Sequence, residues 1–249
     1  MLKREKLNLI EALKSVHWSP SAETSPLFSQ HGISHGVLGR SIPEFKLAEL
    51  LPHHVTQIHG SDLVIASEKT AYESEERPVA DAICTSSGIT VAIKTADCLP
   101  ILLATKDGHW VAAIHAGWRG FTKGIIGKTV EAAMMSNPDR ELIAVVGPSI
   151  SRERFEVGPE VIEALNSQEC GLSTSGVHLA TAKGNLDRWH VDLGLAAACQ
   201  LLEIGLQPTN IEVLQSCTFM ETIGQHHRWH SFRRDGKACG SNWTWIRGR

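Results

Sequence analysis

Apolar positions fall into two patterns along this chain. Between residues 7 and 17 (LNLIEALKSVH), Leu9, Ile10, Leu13 and Val16 recur at helical spacing and predict a short amphipathic helix. Further on come unbroken aliphatic or β-branched runs at 89–94 (ITVAIK), 101–105 (ILLAT) and 142–147 (LIAVVG), which suit buried strands. Asp107 and Gly108, between ILLAT and WVAAIHA, predict a hairpin turn because that dipeptide tolerates positive φ. Helical spacing returns from Ile125 to Met135, closed by Asn137 and Pro138. It returns again in GPEVIEALNSQ, and from Asp192 to Ile204 with Gly205 as C-cap. IEVLQSC at 211–217 resembles a further strand, and residues 19–26 a turn-rich surface connection. No repeat, linker or low-complexity tail interrupts the series, which predicts a single mixed α/β or α+β domain.

Composition narrows the classes. The 249 residues carry 24 Lys+Arg and 27 Asp+Glu, a formal charge of −3, so no basic surplus marks a nucleic-acid binder. No apolar run approaches the ~20 residues that cross a bilayer, and the charged N-terminus lacks the apolar core of a secretory signal. A cytoplasmic protein without a membrane partner is expected. The outlying feature is 13 His and 6 Cys beside a single Tyr. No C-x-x-C pair occurs, and Cys199 and Cys84 read as core residues. The histidines lie in local groups without any H-x-H pair, which speaks against a multicopper oxidase. QHHRWH at 225–230 reads as a solvated loop.

Three segments end apolar runs with a ligand-capable residue followed by small ones: 57–60 (QIHG), 95–100 (TADCLP) and 115–120 (HAGWRG). The hairpin brings Cys98 near His115 despite the intervening residues. That pair suits a thiolate nucleophile activated by imidazole, or, with His59, a metal centre with an open fourth position. Asp97 would then orient a ligand imidazole or shuttle a proton. Three strand-end residues without a shared role remain the plain alternative.

QIHG, TADCLP and HAGWRG resemble successive motifs of the family long named multicopper polyphenol oxidase or laccase domain. Its members are now described as zinc-dependent purine nucleoside phosphorylases, with adenosine deaminase and methylthioadenosine phosphorylase activities. The similarity continues through VGPSISRERFEVGPEV, HVDLGLAAA, CTF and SFRRD, from Gln57 to Asp235. It implies one α+β domain over 1–249, with mixed sheets and outer helices, 1–18 being a short N-terminal helical extension. It also implies a likeness to toxin-like cysteine hydrolases. The resemblance assigns the metal, zinc with copper as the alternative, to His59, Cys98 and His115. Arg119 becomes a catalytic and substrate-binding residue for phosphate or a ribose oxygen. Arg233 and Arg234 offer a second anion contact, or else structural pairing with Asp235 or Glu156. Gln57 is a substrate-binding candidate that could instead support the His59 turn. Asp81 is expected to fix a turn, and Trp118 to form a packing wall.

The chain also departs from the family pattern. Ser29 stands where the family has Arg, the interval to Gln57 is short without an Asn-Leu-Gly motif, and a late Gly-Arg is replaced within Cys239, Gly240 and Ser241. The resemblance implies a purine nucleoside and phosphate as partners, with a monomer favoured. The rival readings are a peptidoglycan-precursor editing amidase or Cys98 hydrolase, a copper polyphenol oxidase, and a non-catalytic metal-binding regulator.

Overall fold

The aliphatic runs of the sequence do not alternate with polar residues because the sheet they build is covered on both faces. The computed structural model describes residues 2–21, 23–40, 50, 52–68 and 76–249. Its strands begin with β1 (His17–Ser19), β2 (Ser34–Leu38), β3 (His53–His54), β4 (Leu63–Ile65), β5 (Ala82–Thr85) and β6 (Thr90–Thr95). They continue as β7 (Leu99–Thr105), β8 (Val111–Ala116), β9 (Leu142–Val146), β10 (Glu156–Val157), β11 (Thr181–Lys183) and β12 (Trp189–Val191). The last are β13 (Ile211–Leu214), β14 (Thr222–Ile223), β15 (His226–His227) and β16 (Asn242–Arg247). The helices are α1 (Leu2–Leu13), α2 (Pro26–Gln30), α3 (Trp118–Thr122), α4 (Ile125–Ser136), α5 (Pro159–Leu165), α6 (Thr174–Ala180), α7 (Leu193–Ile204) and α8 (Phe232–Asp235).

A mixed seven-stranded sheet, in the order β1-β13-β9-β7-β8-β5-β4, forms the middle layer. A four-stranded sheet, β2-β16-β6-β3, covers one face and helices cover the other. The period of two along β7 sorts its residues between the two cores. Leu99, Ile101 and Leu103 pack with Ile125, Ile126 and Val130 of α4. Leu102 and Ala104 pack with Val91 and Ile93 of β6 and Ile246 of β16. The result is an α+β fold with several mixed sheets and outer helices, as expected.

The local signals mostly hold, with shifted ends. Gly108 takes φ +71 in the turn between β7 and β8, and Asp107 accepts hydrogen bonds from Thr105 Oγ1 and the His109 N–H. Asp192 caps α7 by accepting the Leu195 N–H, and Gly205 ends it with φ 112. The N-terminal segment carries α1 over Leu2–Leu13, buries Leu9 and Val16 in the helix-side core, and ends in β1, an edge strand of the large sheet. QHHRWH is not the solvated loop expected. Its first histidines form β15, and Trp229 is fully buried with its indole N–H on Ser216 Oγ. Cys84 and Cys199 are buried core residues. No helix among the described residues is long and apolar enough to cross a membrane.

One packing detail predicts an acid response. The His54 ring meets Trp243 edge to face at 4.9 Å, and burial, aided by the charges of Arg77 and Lys94, lowers its pKa from 6.5 to about 4. The unfolded chain therefore takes up a proton that the native ring resists. The associated stability is present above pH 6.5 and is lost as pH falls from there towards 4. After solvent screening at this half-buried position, a loss of about 1 kcal/mol near pH 5 is expected. Urea unfolding at neutral pH and near pH 5 should show it, with a smaller difference in His54→Gln. Equal differences in both proteins would remove His54 as the cause.

Candidate metal centre and cavity

Two of the three expected ligands sit where the chain crosses between sheets. His59 lies between β3 of the four-stranded sheet and β4 of the seven-stranded one. Cys98 lies between β6 and β7, which also belong to different sheets. His115 comes from β8, opposite Pro100 in the antiparallel pairing, so Cys98 enters beside it. The ligand atoms of His59, Cys98 and His115 all lie within 4.8 Å of one another. Cys98 Sγ is 3.9 Å from His59 Nε2, and the two imidazoles meet edge to face. Donors around one tetrahedral zinc, each bonded at about 2.0–2.3 Å, are about 3.3–3.7 Å apart, so a small contraction would close this set on an ion.

Asp81 orients the group. Its fully buried carboxylate accepts His115 Nδ1–H at 2.7 Å and the backbone N–H groups of Ile58, His59 and Gly60 at 3.2, 2.9 and 2.6 Å. The residue read as fixing a turn therefore also fixes the His115 tautomer, leaving Nε2 free for a metal, a common arrangement for ligand histidines. Burial pushes the Cys98 thiol up, but hydrogen bonds and charge from His115 and His59 outweigh it and bring the pKa down to about 7. Burial likewise lowers His115, yet Asp81 and Cys98 raise it to about 9. A thiolate is the form that binds a soft metal.

The crossings are strained and held. His59 and Asp97 adopt φ 60 and 84, left-handed values that non-glycine residues seldom take. Asp81 secures the first. At the second, Asp97 Oδ1 accepts Thr218 Oγ1 at 2.7 Å, and Oδ2 accepts Ser231 Oγ at 3.0 Å and the Arg233 N–H at 2.7 Å. Asp97, expected to be catalytic, thus lines the cavity with both oxygens engaged by the C-terminal segment.

The ligands open into a cavity of about 450 Å³. Its apolar wall is Trp118, Ile150, Phe155, Leu193 and Phe232; its polar wall includes Gln57, Lys94, Arg119, Arg233 and Ser241. All the expected site residues therefore border one space. Their free donors differ. Gln57 spends both ends of its amide on Lys94, donating to its carbonyl at 2.7 Å and accepting its N–H at 2.8 Å. The Arg233 guanidinium donates to the carbonyls of Arg154 and Glu156, each at 3.2 Å, while Asp235 pairs instead with Arg234 and Arg40. Arg119 lies over the Trp118 ring at 4.4 Å and has no ion pair among the described residues. Sequence reasoning missed Lys94, Thr95, Phe155 and Phe232 as cavity residues. TADCLP, VGPSISRERFEVGPEV and SFRRD were within reach as signals for Thr95, Phe155 and Phe232; Lys94 carries no local one. Ser29, at the departure from the family pattern, donates its hydroxyl to Ser25 O within its own helix. Residues 41–49 and 51 of the short interval lie outside the described residues.

Fold and site define an α+β protein of mixed sheets with a His–Cys–His set able to hold a metal. Residues 43–249 match the model of the family described as multi-copper polyphenol oxidoreductase laccase, and the chain belongs to that family. A Xylella fastidiosa protein named purine nucleoside phosphorylase is 34% identical over 200 residues, 78% of this chain and 73% of that protein. A protein from an unknown prokaryotic organism, named adenosine deaminase RL5, is 36% identical over 200 residues, 76% of this chain and 72% of its own. Among solved structures, a Neisseria meningitidis protein superposes with TM-score 0.68 at 31% identity, covering 82% of this chain and 77% of that one. The Bacillus licheniformis hypothetical protein YfiH reaches TM-score 0.76 at 21% identity, over 93% of this chain and 97% of its own, a likeness of fold.

Proposed function

We propose that this protein is a metal-dependent purine nucleoside phosphorylase, with adenosine deamination and methylthioadenosine phosphorolysis as further activities. The observation that carries the reading is the convergence of His59, Cys98 and His115 on a cavity of about 450 Å³, a volume suited to a small ligand. The relatives' names supply the substrate class. Zinc is the metal of this reading, with copper the alternative, and zinc held there would supply a Lewis acid and a water of lowered pKa. Trp118, Phe155 and Phe232 offer flat apolar surface for the purine. Arg119, without an ion pair among the described residues, presents its fork of donors to phosphate or a ribose oxygen. Arg233 contributes its remaining donors, and Gln57 serves substrate binding by fixing the wall that Lys94 belongs to. Asp97 is a positioning residue that keeps Cys98 at the crossing. The six free thiols fit a cytoplasmic setting.

Adenosine and inosine should each yield free base only with added phosphate, and adenosine should also yield inosine. Chelation should abolish both products, and zinc should restore them. Absence of any product from the zinc-loaded protein would overturn the reading. A second reading follows from the Cys98 thiol at about 7 beside two imidazoles: amide hydrolysis by a thiolate, as in the toxin-like cysteine hydrolases and in editing of a peptidoglycan precursor. Alkylation of Cys98 that stops turnover without releasing metal would favour it.

A further inference from the structure

The strained crossing at Asp97 is held from the C-terminal segment, and one side chain there gathers the groups that hold it. Arg234 lies in α8 with its side chain 12% exposed. Its guanidinium donates from Nη1 to the carbonyls of Thr218 and Phe219 at 3.0 and 2.9 Å, and from Nη2 to that of Trp229 at 2.7 Å. Nε and Nη2 also donate to the carboxylate of Asp235 at 2.8 and 2.9 Å. None of its nitrogens is left idle for a substrate anion. The fork instead draws residues 218–219 and 229 onto the helix that follows them. A planar guanidinium spans several acceptors in fixed directions, which the compact ammonium of lysine does not.

The same stretches supply the donors to Asp97. Thr218, whose carbonyl Arg234 holds, gives its hydroxyl to Oδ1. Ser231 gives its hydroxyl to Oδ2 and accepts the Arg234 N–H on the same oxygen at 3.3 Å. The Arg233 N–H completes Oδ2. Thr218 and Ser231 are fully buried, so a donor displaced there would be left unpaired at a cost. Asp97 can keep φ 84 only while these partners over-determine it, and the next residue is Cys98. We propose that Arg234 is a positioning residue of the metal centre, acting through Thr218, Ser231 and Asp97 to hold the Cys98 thiolate where His59 and His115 meet it. The proposal rests on the metal reading of that group and extends it to a residue outside the cavity wall.

Zinc affinity of the full chain, read by competition with a chromophoric chelator, tests this beside urea unfolding of the metal-free protein. Arg234→Lys keeps the charge but loses the fork, and zinc binding should weaken about tenfold. In an Asp97→Asn background, where the clasp is already loosened, the same substitution should cost about twofold or less, since residues acting through one another are not additive. Lower urea stability with wild-type zinc affinity would make Arg234 an ordinary brace and overturn the proposal. An equal loss of affinity in both backgrounds would bypass Asp97 and overturn it too. Should Arg234→Lys not fold, Asp235→Asn loosens the guanidinium from its outer side. That variant should weaken zinc binding about threefold, again only where Asp97 is intact. A wild type that binds no zinc would overturn the metal reading and this proposal with it. Zinc held equally well by the wild type and by both variants would overturn the proposal alone.

Discussion

Asp81→Asn is expected to weaken metal binding by about 10- to 100-fold, the range typical for loss of a group that orients a ligand histidine. The carboxylate accepts four hydrogen bonds, three from successive backbone N–H groups and one from His115 Nδ1. Asparagine has one oxygen where two are needed, and its amide N–H groups would face donors. At least one buried donor is left unpaired, and the His115 ring loses the partner that selects its tautomer. A loss of about 3 kcal/mol in the stability of the metal-free protein should accompany the weaker affinity. Competition against a chromophoric chelator reads the first effect and urea unfolding the second. An unstable variant with wild-type metal affinity would confine Asp81 to holding the 58–60 turn.

Gly117→Val should give a folded protein that does not retain metal. At Gly117, φ −61 and ψ 156 are accessible to any residue, so the requirement for glycine comes from space rather than from the backbone. A Cβ would lie 3.0 Å from Cys98 Sγ, 3.1 Å from His59 Cδ2 and 3.6 Å from His115 Nε2, in contact with all three ligands. Valine adds two methyl groups and forces the ligands apart by more than metal bonds accommodate. Alanine asks for only a few tenths of an ångström, and a milder loss of about tenfold is expected from the strain of such crowding. Circular dichroism should be unchanged in both variants while metal content falls from alanine to valine. Stoichiometric metal in Gly117→Val would show that the ligands can meet elsewhere.

How much of this was legible in the sequence depended on whether a partner was near in the chain. Cys98 and His115 could be placed together because one hairpin joins their strands, and the Asp-Gly turn announced it. The caps at Asp192 and Gly205 are local and were equally readable. Asp97 was a different case. Its partners Thr218, Ser231 and Arg233 lie 121, 134 and 136 residues away in the CTF and SFRRD motifs, and nothing local in those motifs tells that they return to Asp97, a carboxylate read as catalytic whose two oxygens are engaged in bracing. Unbroken aliphatic runs indicated burial without revealing that two separate cores shared one strand. In QHHRWH the histidines dominated the composition and hid Trp229, which anchors the segment.

Placing His59 and Cys98 on the two crossings between layers gives a bound ion a mechanical part to play. Each crossing is a seam through which the four-stranded sheet could peel from the large one, and both seams would be stitched at the same point. Amide hydrogen exchange around 57–60 and 95–98 should therefore slow together when metal is added, as one cooperative unit rather than two. The layer that brings Lys94 and Thr95 to the cavity wall would then be fastened more firmly in protein that is loaded for work.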